Sequence, residues 1–292
     1  MPKILITGGS GMLGRTLRRA WADKYEVVST DLPEVDITDA AAFNAVLKRE
    51  KPDTVVHCAA MTQVDACETA REGAFRVNAY GTQVVASACH LQQVRLIAIS
   101  TDYVFDGYSD RPYCEYDQPT GGRTVYGQSK LAGEQAVRTL CPRHVIARIS
   151  WLYGPGGPSF VHAMVKLATS GKSELKVVDD QHGNPTSTLA VAARLETLIE
   201  HPELVGTFHL TCEGVTTWAG FAQEIFSQLK LDCRVIPCTT AEFPRPAARP
   251  ANSALDKLAL RCAKLPPMPD WREALRAFLP EEFPQLWAQA QK

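Results

Sequence analysis

The amino-acid sequence predicts an α/β fold, in which a doubly wound parallel sheet is followed by a smaller C-terminal α/β part. Short continuous apolar runs alternate with helical patterns through the first half of the chain, as expected for parallel strands covered on both faces. A glycine-rich loop separates the first apolar run from the first helix. The clearest break in the chain is the Gly-Pro-Gly-Gly-Pro stretch at 154–158, and the second part is placed from there onward.

The first strand, Lys3–Ile6, leads into Gly-Gly-Ser-Gly-Met-Leu-Gly at 8–14 and then into a helical pattern. Glycines in a G-x-x-G-x-x-G spacing permit a tight turn and let backbone N–H groups approach a pyrophosphate at the helix N-terminus. The spacing differs by one residue from the usual G-x-G-x-x-G. Its position between a strand and a helix nevertheless predicts dinucleotide binding, and therefore a Rossmann sheet.

The second strand, Glu26–Asp31, ends in an acid. An acid about 20 residues after such a loop can accept hydrogen bonds from the adenosine ribose of NAD. Arg15 follows the last glycine directly and could instead pair with the 2′-phosphate of NADP, although a solvated helix residue is an equally good interpretation. The choice between NADH and NADPH therefore stays open.

The next elements are a helix near 40–50, capped by Thr38 or Asp39, a strand at 52–58, and helices from Asp65 to about Leu91. His57 lies within the third strand, and we expect it to be a core histidine and not a ligand. The following strand, 95–102, ends in hydroxyl residues. A hydroxyl at the carboxyl end of a parallel strand faces the ligand crevice, so Thr101 could bind a reacting oxygen; capping of the next turn is the alternative.

The stretch Tyr-Gly-Gln-Ser-Lys at 126–130 opens the next helical pattern. Positions i and i+4 share a helix face, so Tyr126 and Lys130 point the same way. A phenol ordinarily has a pKa near 10, and an adjacent ammonium lowers that pKa by favouring the phenolate. The pair therefore predicts a tyrosine that acts as an acid or base.

The remaining elements are a strand at 144–149, helices at 160–167, 189–200, 217–229 and 271–279, and strands at 175–178 and 206–210. We assign residues 1–150, with about 175–200, to a dinucleotide-binding domain, and 151–292 mainly to a substrate-binding domain. Asp179 and Asp180 could suggest a metal, but a solvated loop or a substrate contact is favoured, and no metal site is predicted.

Composition excludes several classes of function. The 292 residues are 45% hydrophobic and 22% charged, with a net charge of −1, so bulk charge suggests no nucleic-acid or membrane-surface binding. No apolar run approaches the roughly 20 residues of a membrane span, and the N-terminus has no room for a signal peptide. The nine cysteines form no C-x-x-C pair, which favours reduced thiols and a cytoplasmic protein.

Several further motifs resemble those of the dTDP-4-dehydrorhamnose reductases, within the extended short-chain dehydrogenase/reductase superfamily. These motifs lie at 60–65, 99–107, 126–134, 180–186 and 249–253. With the first strand and the glycine loop they extend the resemblance from residue 4 to about 260. The resemblance implies reduction of the C4 keto group of dTDP-4-dehydro-6-deoxy-L-mannose to dTDP-L-rhamnose for cell-surface polysaccharide, with NADPH or NADH as cofactor. It also implies a monomer or homodimer.

The resemblance further implies roles for individual residues. Tyr126 would donate the proton to the C4 oxygen, Lys130 would lower its pKa and hold the nicotinamide ribose, and Thr101 would share the hydrogen bonds to that oxygen. Asp102 and Trp151 would contact the sugar. The implied cofactor contacts, besides Tyr126 and Lys130, are Gly8, Gly11, Met12, Leu13, Gly14, Asp36, Ile37, Ala60, Met61 and Thr62.

The chain also departs from the family pattern. Some members form a Mg²⁺-linked dimer through acidic side chains, one of them just after the glycine loop, where this chain has Arg15; a Mg²⁺ bridge is therefore doubtful. Residues 157–160 are Gly-Pro-Ser-Phe, where the family often has Gly-x-Asn-Phe. Residues 121–123, Gly-Gly-Arg, differ from the proline-containing segment that more usually precedes the tyrosine. These differences could alter a substrate contact.

Two other readings remain open from the sequence. One is a reductase or epimerase of another nucleotide-deoxysugar. The other is a non-catalytic regulatory subunit, like that of methionine adenosyltransferase, which is similar in fold and cofactor site. The intact set of Tyr126, Lys130 and Thr101 favours catalysis.

Overall fold

A computed structural model describes all residues, 1–292, and its central element is a six-stranded sheet. The six strands are β1 (Lys3–Thr7), β2 (Glu26–Thr30), β3 (Thr54–His57), β4 (Arg95–Thr101), β5 (His144–Ile149) and β10 (Gly206–His209). Every strand pair in this sheet is parallel, and the strand order is β10-β5-β4-β3-β1-β2.

Helices cover both faces of this sheet. The helices associated with it are α1 (Met12–Trp21), α2 (Ala40–Glu50), α3 (Val64–Thr69), α4 (Arg71–Phe75), α5 (Thr82–Leu91), α6 (Val125–Leu140), α8 (Thr188–Glu200) and α10 (Leu258–Cys262). A π-helical turn at Arg76–Gly81 precedes α5, and a 3₁₀ turn at Asp102–Val104 follows β4.

Alternation along the strands divides the apolar residues between two cores. Ile4 and Ile6 pack with α1 and α8, whereas Leu5 packs with α2, α5 and α6. Successive strand side chains point to opposite faces, so a continuous apolar strand supplies both layers. The predicted doubly wound α/β fold is confirmed.

A third core lies in the C-terminal part. It is built from α7 (Phe160–Ala168), α9 (Trp218–Gln228), α11 (Trp271–Glu282) and α12 (Pro284–Ala290), around the parallel pair β7 (Glu174–Val178) and β12 (Arg234–Cys238). The sequence did not predict β12, because Pro237 interrupts a short run and proline cannot donate to a strand ladder. A two-stranded sheet consists only of edge strands, which tolerate the proline.

Short strand pairs connect the two parts of the chain. They are β6 (Leu152–Tyr153) with β9 (Thr186–Ser187), and β8 (His182–Gly183) with β11 (Thr216–Thr217). Residues 175–200 are shared between the parts, since β7 pairs with β12 whereas α8 packs against α1. None of the helices combines the length and apolar character needed to cross a membrane.

Candidate active site

A cavity of about 600 Å³ lies at the carboxyl ends of the central strands. Most of the predicted site residues line it, and the two that do not are Arg15 and Met61. The predicted residues that line it are Gly8, Gly11, Met12, Leu13, Gly14, Asp31, Asp36, Ile37, Ala60, Thr62, Thr101, Asp102, Tyr126, Lys130 and Trp151. A larger cavity, about 860 Å³, lies at the opposite, amino-terminal ends of the strands and contains none of them.

The glycine loop forms one end of the 600 Å³ cavity. Gly8 has a φ of +70°, and a Cβ there would lie 2.7 Å from the backbone nitrogen of Ala59. A Cβ at Gly14 would overlap the carbonyl oxygen of Gly8. No side chain caps α1, so the N–H groups of its first turn are free to bind an anion. This end of the cavity therefore fits a pyrophosphate.

Two carboxylates organise the loops beside the glycines. Asp31 accepts hydrogen bonds from the backbone N–H groups of Ser10 and Leu32, both at 3.0 Å, which ties the glycine loop to the end of β2. Asp36 accepts from the N–H and the hydroxyl of Thr38, both at 2.8 Å, and these bonds lower its pKa. Both carboxylates are therefore held in fixed positions along the cavity.

The other end of the cavity brings together Tyr126, Lys130 and Thr101. Helix α6 begins at Val125 because Thr124 caps it, accepting from the N–H of Gly127 at 3.0 Å. The buried face of α6 then directs Tyr126 and Lys130 toward the end of β4, where Thr101 lies. The Lys130 Nζ donates to the carbonyl oxygen of Ile99 at 2.8 Å.

Burial determines the protonation states of Tyr126 and Lys130. It raises the pKa of Tyr126, and a hydrogen bond with Thr101 offsets only part of that effect. Lys130 does not lower the Tyr126 pKa as expected. Desolvation of the phenol dominates, and the Lys130 ammonium donates to a backbone carbonyl. Burial also lowers the pKa of Lys130 to about 8, against the opposing charge of Glu134.

Asp102 is the buried acid of the group. Burial raises its pKa to about 6, although the nearby Ser253 and Thr101 hydroxyls favour the charged form. Thr101 Oγ1 donates to Asp102 Oδ1 at 2.9 Å, whereas Oδ2 has no partner at hydrogen-bond distance. Asp102 thus keeps one buried carboxylate oxygen without a hydrogen-bond partner beside Thr101.

Comparison with known proteins shows extensive similarity. The family model described as the RmlD substrate binding domain matches residues 2–283. The chain is 43% identical to a dTDP-4-dehydrorhamnose reductase of Streptomyces griseus, over 99% of this chain and 95% of the relative.

It is also 42% identical to a probable dTDP-4,6-dihydroxy-2-methyloxan-3-one 4-ketoreductase of Streptomyces antibioticus, over 97% and 95% of the two chains. The crystal structure of dTDP-4-dehydrorhamnose reductase from Bacillus anthracis, in complex with NADP, is similar with a TM-score of 0.93 and 37% identity. That match covers 96% of this chain and all of the other.

The chain belongs to the dTDP-4-dehydrorhamnose reductase family. The resemblance inferred from the motifs is confirmed. In this family member, Arg15 lies outside the cavity lining: its guanidinium donates to the carbonyl oxygens of Ser10 at 2.5 Å and Gly156 at 2.7 Å.

Trp151 lies between the cavity of this family member and a second one of about 680 Å³. Its φ is +44°, its ring stacks on Trp218 with centroids 3.5 Å apart, and its Nε1 donates to Ser253 Oγ at 3.2 Å. A non-glycine residue with positive φ is unusual. The sequence singled out Trp151 but missed Trp218, since nothing local shows that their rings meet.

Two buried supports were also missed. The Asn78 side-chain oxygen accepts from the N–H of Met61 at 2.8 Å, and the Asn78 side-chain nitrogen donates to the carbonyl oxygen of Met61 at 3.0 Å. These two bonds fix the backbone next to the cavity. Glu134 forms a two-point ion pair with Arg148, both contacts at 2.8 Å, and accepts from Ser100 at 2.6 Å. The π-helical turn around Asn78 is a feature that often marks functional sites.

Three polar residues outside the site have structural partners. His57 is buried, as expected of a core histidine, with ring nitrogens 2.7 Å from Thr7 Oγ1 and 3.0 Å from Thr82 Oγ1; burial lowers its pKa to about 3. Asp179 accepts from the hydroxyl of Thr217, and Asp180 from the N–H and hydroxyl of Thr240. The structure contains no cluster of three or more His, Cys, Asp or Glu residues arranged to hold a metal ion.

Proposed function

We propose that this chain reduces the C4 keto group of dTDP-4-dehydro-6-deoxy-L-mannose to give dTDP-L-rhamnose, with NADPH or NADH as cofactor. One observation carries the proposal: Tyr126, Lys130 and Thr101 line the same cavity whose other end is the glycine loop. A dinucleotide along this cavity would have its pyrophosphate at the glycines and its reactive ring beside the tyrosine.

The residues present fit such a cofactor. The first-turn N–H groups of α1 would bind the pyrophosphate, Asp31 and Asp36 the adenosine end, and Lys130 the ribose of the nicotinamide end. When bound, the reduced nicotinamide supplies the hydride. The Asp31 carboxylate favours ribose hydroxyls over a 2′-phosphate, whereas the NADP complex of the B. anthracis relative supports the phosphorylated form. We therefore keep both cofactors in the proposal.

Tyr126 would donate the proton that the reduced carbonyl oxygen requires. Because burial raises its pKa, the phenol stays protonated at neutral pH, which is the form needed for reduction. Negative charge develops on the C4 oxygen in the transition state, so a hydroxyl donor from Tyr126, and one from Thr101 once its proton turns away from Asp102 Oδ1, would stabilise that state more than the ground state. The Lys130 ammonium adds positive charge at the same end of the cavity.

The second cavity would hold the nucleotide half of the substrate. It meets the first cavity at Trp151, so one ligand could occupy both. Its lining combines the aromatic rings of Trp218 and Phe243 with the guanidinium groups of Arg245 and Arg249. Aromatic rings suit a base, and guanidinium groups suit a diphosphate. Asp102 and Trp151 would contact the sugar between these sites.

A reductase of another nucleotide-deoxysugar is the second candidate, favoured by the S. antibioticus relative's name. The deciding experiment adds dTDP-4-dehydro-6-deoxy-L-mannose to the protein with NADPH or NADH and follows nicotinamide absorbance, with product analysis. Oxidation that yields dTDP-L-rhamnose is expected. The D-configured precursor, dTDP-4-dehydro-6-deoxy-D-glucose, serves as the specificity control. Faster reduction of that compound would favour the second candidate, and no oxidation with either would contradict reductase activity.

The protonation states predict a bell-shaped pH profile of the reduction rate when both cofactor and sugar are limiting, since Lys130 would bind the cofactor and Asp102 the sugar. The Asp102 carboxylate is present above its pKa of about 6, and the Lys130 ammonium is present below its pKa of about 8. Activity should therefore rise as pH increases through about 6 and fall as it increases through about 8. Glu134→Gln should move the upper limb to lower pH, because the Glu134 charge raises the Lys130 pKa. An upper limb near 10 would contradict this assignment to Lys130.

We also propose a cytoplasmic location. All nine cysteines are free thiols in the structure, which suits a reducing compartment.

A further inference from the structure

The loop 154–158 covers the outer side of the glycine loop. A Cβ at Gly157 would lie 3.2 Å from the Met12 side chain and 3.3 Å from Nη2 of Arg15. Met12 begins α1 and lines the proposed cofactor cavity. A segment from the C-terminal part of the chain thus packs directly on the residue where the pyrophosphate would bind.

Gly156 is held from both sides of its backbone. Its carbonyl oxygen accepts from Arg15 Nη2 at 2.7 Å. Its N–H donates to the Glu282 carboxylate, at 3.2 and 3.3 Å from the two oxygens. Arg15 also donates to Ser10 in the glycine loop at 2.5 Å. One guanidinium therefore joins the glycine loop to the loop that covers it.

Further contacts anchor Glu282 at the end of α11. His162 Nε2 lies 2.8 Å from Glu282 Oε1, and His162 Nδ1 lies 2.8 Å from Oγ of Ser159, which caps α7. One turn along α1 from Arg15, Arg19 forms an ion pair with Glu281. Residues 15 and 19 share a helix face, so two arginines of α1 face two glutamates of α11.

We propose that Arg15, Gly156, Glu282 and His162 form a latch that holds the loop 154–158 over the pyrophosphate end of the cofactor site. In this proposal Arg15 is a positioning residue and not a ligand of the 2′-phosphate. Both of its terminal nitrogens donate to backbone carbonyls, and it does not line the cavity. Releasing the latch would let the loop move away from Met12 and would weaken the binding of NADPH and NADH equally.

The inference rests on the proposed cofactor site but not on the proposed sugar substrate, so its test uses binding alone. NADPH and NADH are titrated separately against wild type, Arg15→Ala and Glu282→Ala. We expect each variant to bind both dinucleotides about three- to tenfold more weakly, with an unchanged NADPH-to-NADH preference. Hydrogen exchange at the amides of Gly154, Gly156 and Gly157 should be faster in both variants than in wild type, the two prolines of the loop having no N–H.

Glu282→Ala separates the latch from simple charge effects. Removing an acid near an anionic ligand would tighten binding through the electrostatic field, whereas the latch predicts weaker binding. Arg18→Ala is the matched control: it removes the same charge from the same helix, but Arg18 forms no salt bridge. NADH affinity in that variant should stay within about twofold of wild type.

Four results would overturn the latch. A loss confined to NADPH in Arg15→Ala would make Arg15 a 2′-phosphate ligand. Tighter binding by Glu282→Ala would identify a field effect. Unchanged affinity in both variants would remove the coupling. Wild-type protein that binds neither dinucleotide would overturn the cofactor site itself and the latch with it, whereas failure of sugar reduction alone would leave the latch standing.

Discussion

Replacing Tyr126 with phenylalanine is expected to lower kcat by about 10²–10⁴-fold, the usual contribution of a positioned general acid. The hydroxyl is the proposed proton donor, and the Thr101 hydroxyl that bonds to it lies at the same end of the cavity. The glycine loop and Lys130 are unchanged in the variant, so cofactor affinity should stay close to that of wild type. Steady-state kinetics and a cofactor titration measure the two effects separately.

Tyr153→Phe provides the matched control for this substitution. Tyr153 is buried in the C-terminal core, and its hydroxyl has no hydrogen-bond partner. The same atom is therefore removed away from the site, and kcat should not change appreciably. Near-normal turnover by the Tyr126 variant, with the control also active, would contradict the assignment of Tyr126 as proton donor.

Glu134→Ala is expected to lower the free energy of unfolding by about 3–5 kcal/mol, as when one partner of a buried ion pair is removed. Arg148 is fully buried and donates to Glu134 through two nitrogens, each at 2.8 Å. Without the carboxylate its guanidinium would keep its charge with no counter-ion in the core. Urea denaturation measures the loss.

Arg138→Ala tests the exposed side of the same network. Arg138 also donates to Glu134, at 2.8 Å, but its side chain is 36% exposed. Water can replace that contact, so the expected loss is only about 0–1 kcal/mol. Comparable losses in the two variants would show that burial of Arg148 does not determine the energy of the network.

Local patterns were sufficient to locate much of the candidate site. The glycines at 8–14 predict a turn because glycine adopts the positive φ of Gly8 without strain and, having no Cβ, permits the close approach at Gly14. The spacing of Tyr126 and Lys130 follows from helix geometry, and Thr101 from the end of an apolar strand. Since parallel strands end at one edge of a sheet, these separate stretches were expected to meet, and all of them line the cavity.

Contacts between residues far apart in the sequence could not be predicted from local patterns. Arg15 meets Gly156 across 141 positions, and the Trp151 ring, in the bend before β6, meets that of Trp218 at the start of α9. The direction of the Tyr126 pKa also differs from the expectation, because the sequence shows the nearby lysine but not the burial that outweighs it.

The sequence by itself determined the sheet, the glycine turn and the end of the sheet where the proposed catalytic residues gather, because backbone conformation and strand or helix periodicity depend on nearby residues. Only the tertiary structure decided which charges are desolvated, where Arg15 binds and how Trp151 is held. Those properties depend on distance and water exclusion between residues far apart in the chain, and local pattern carries no information about either.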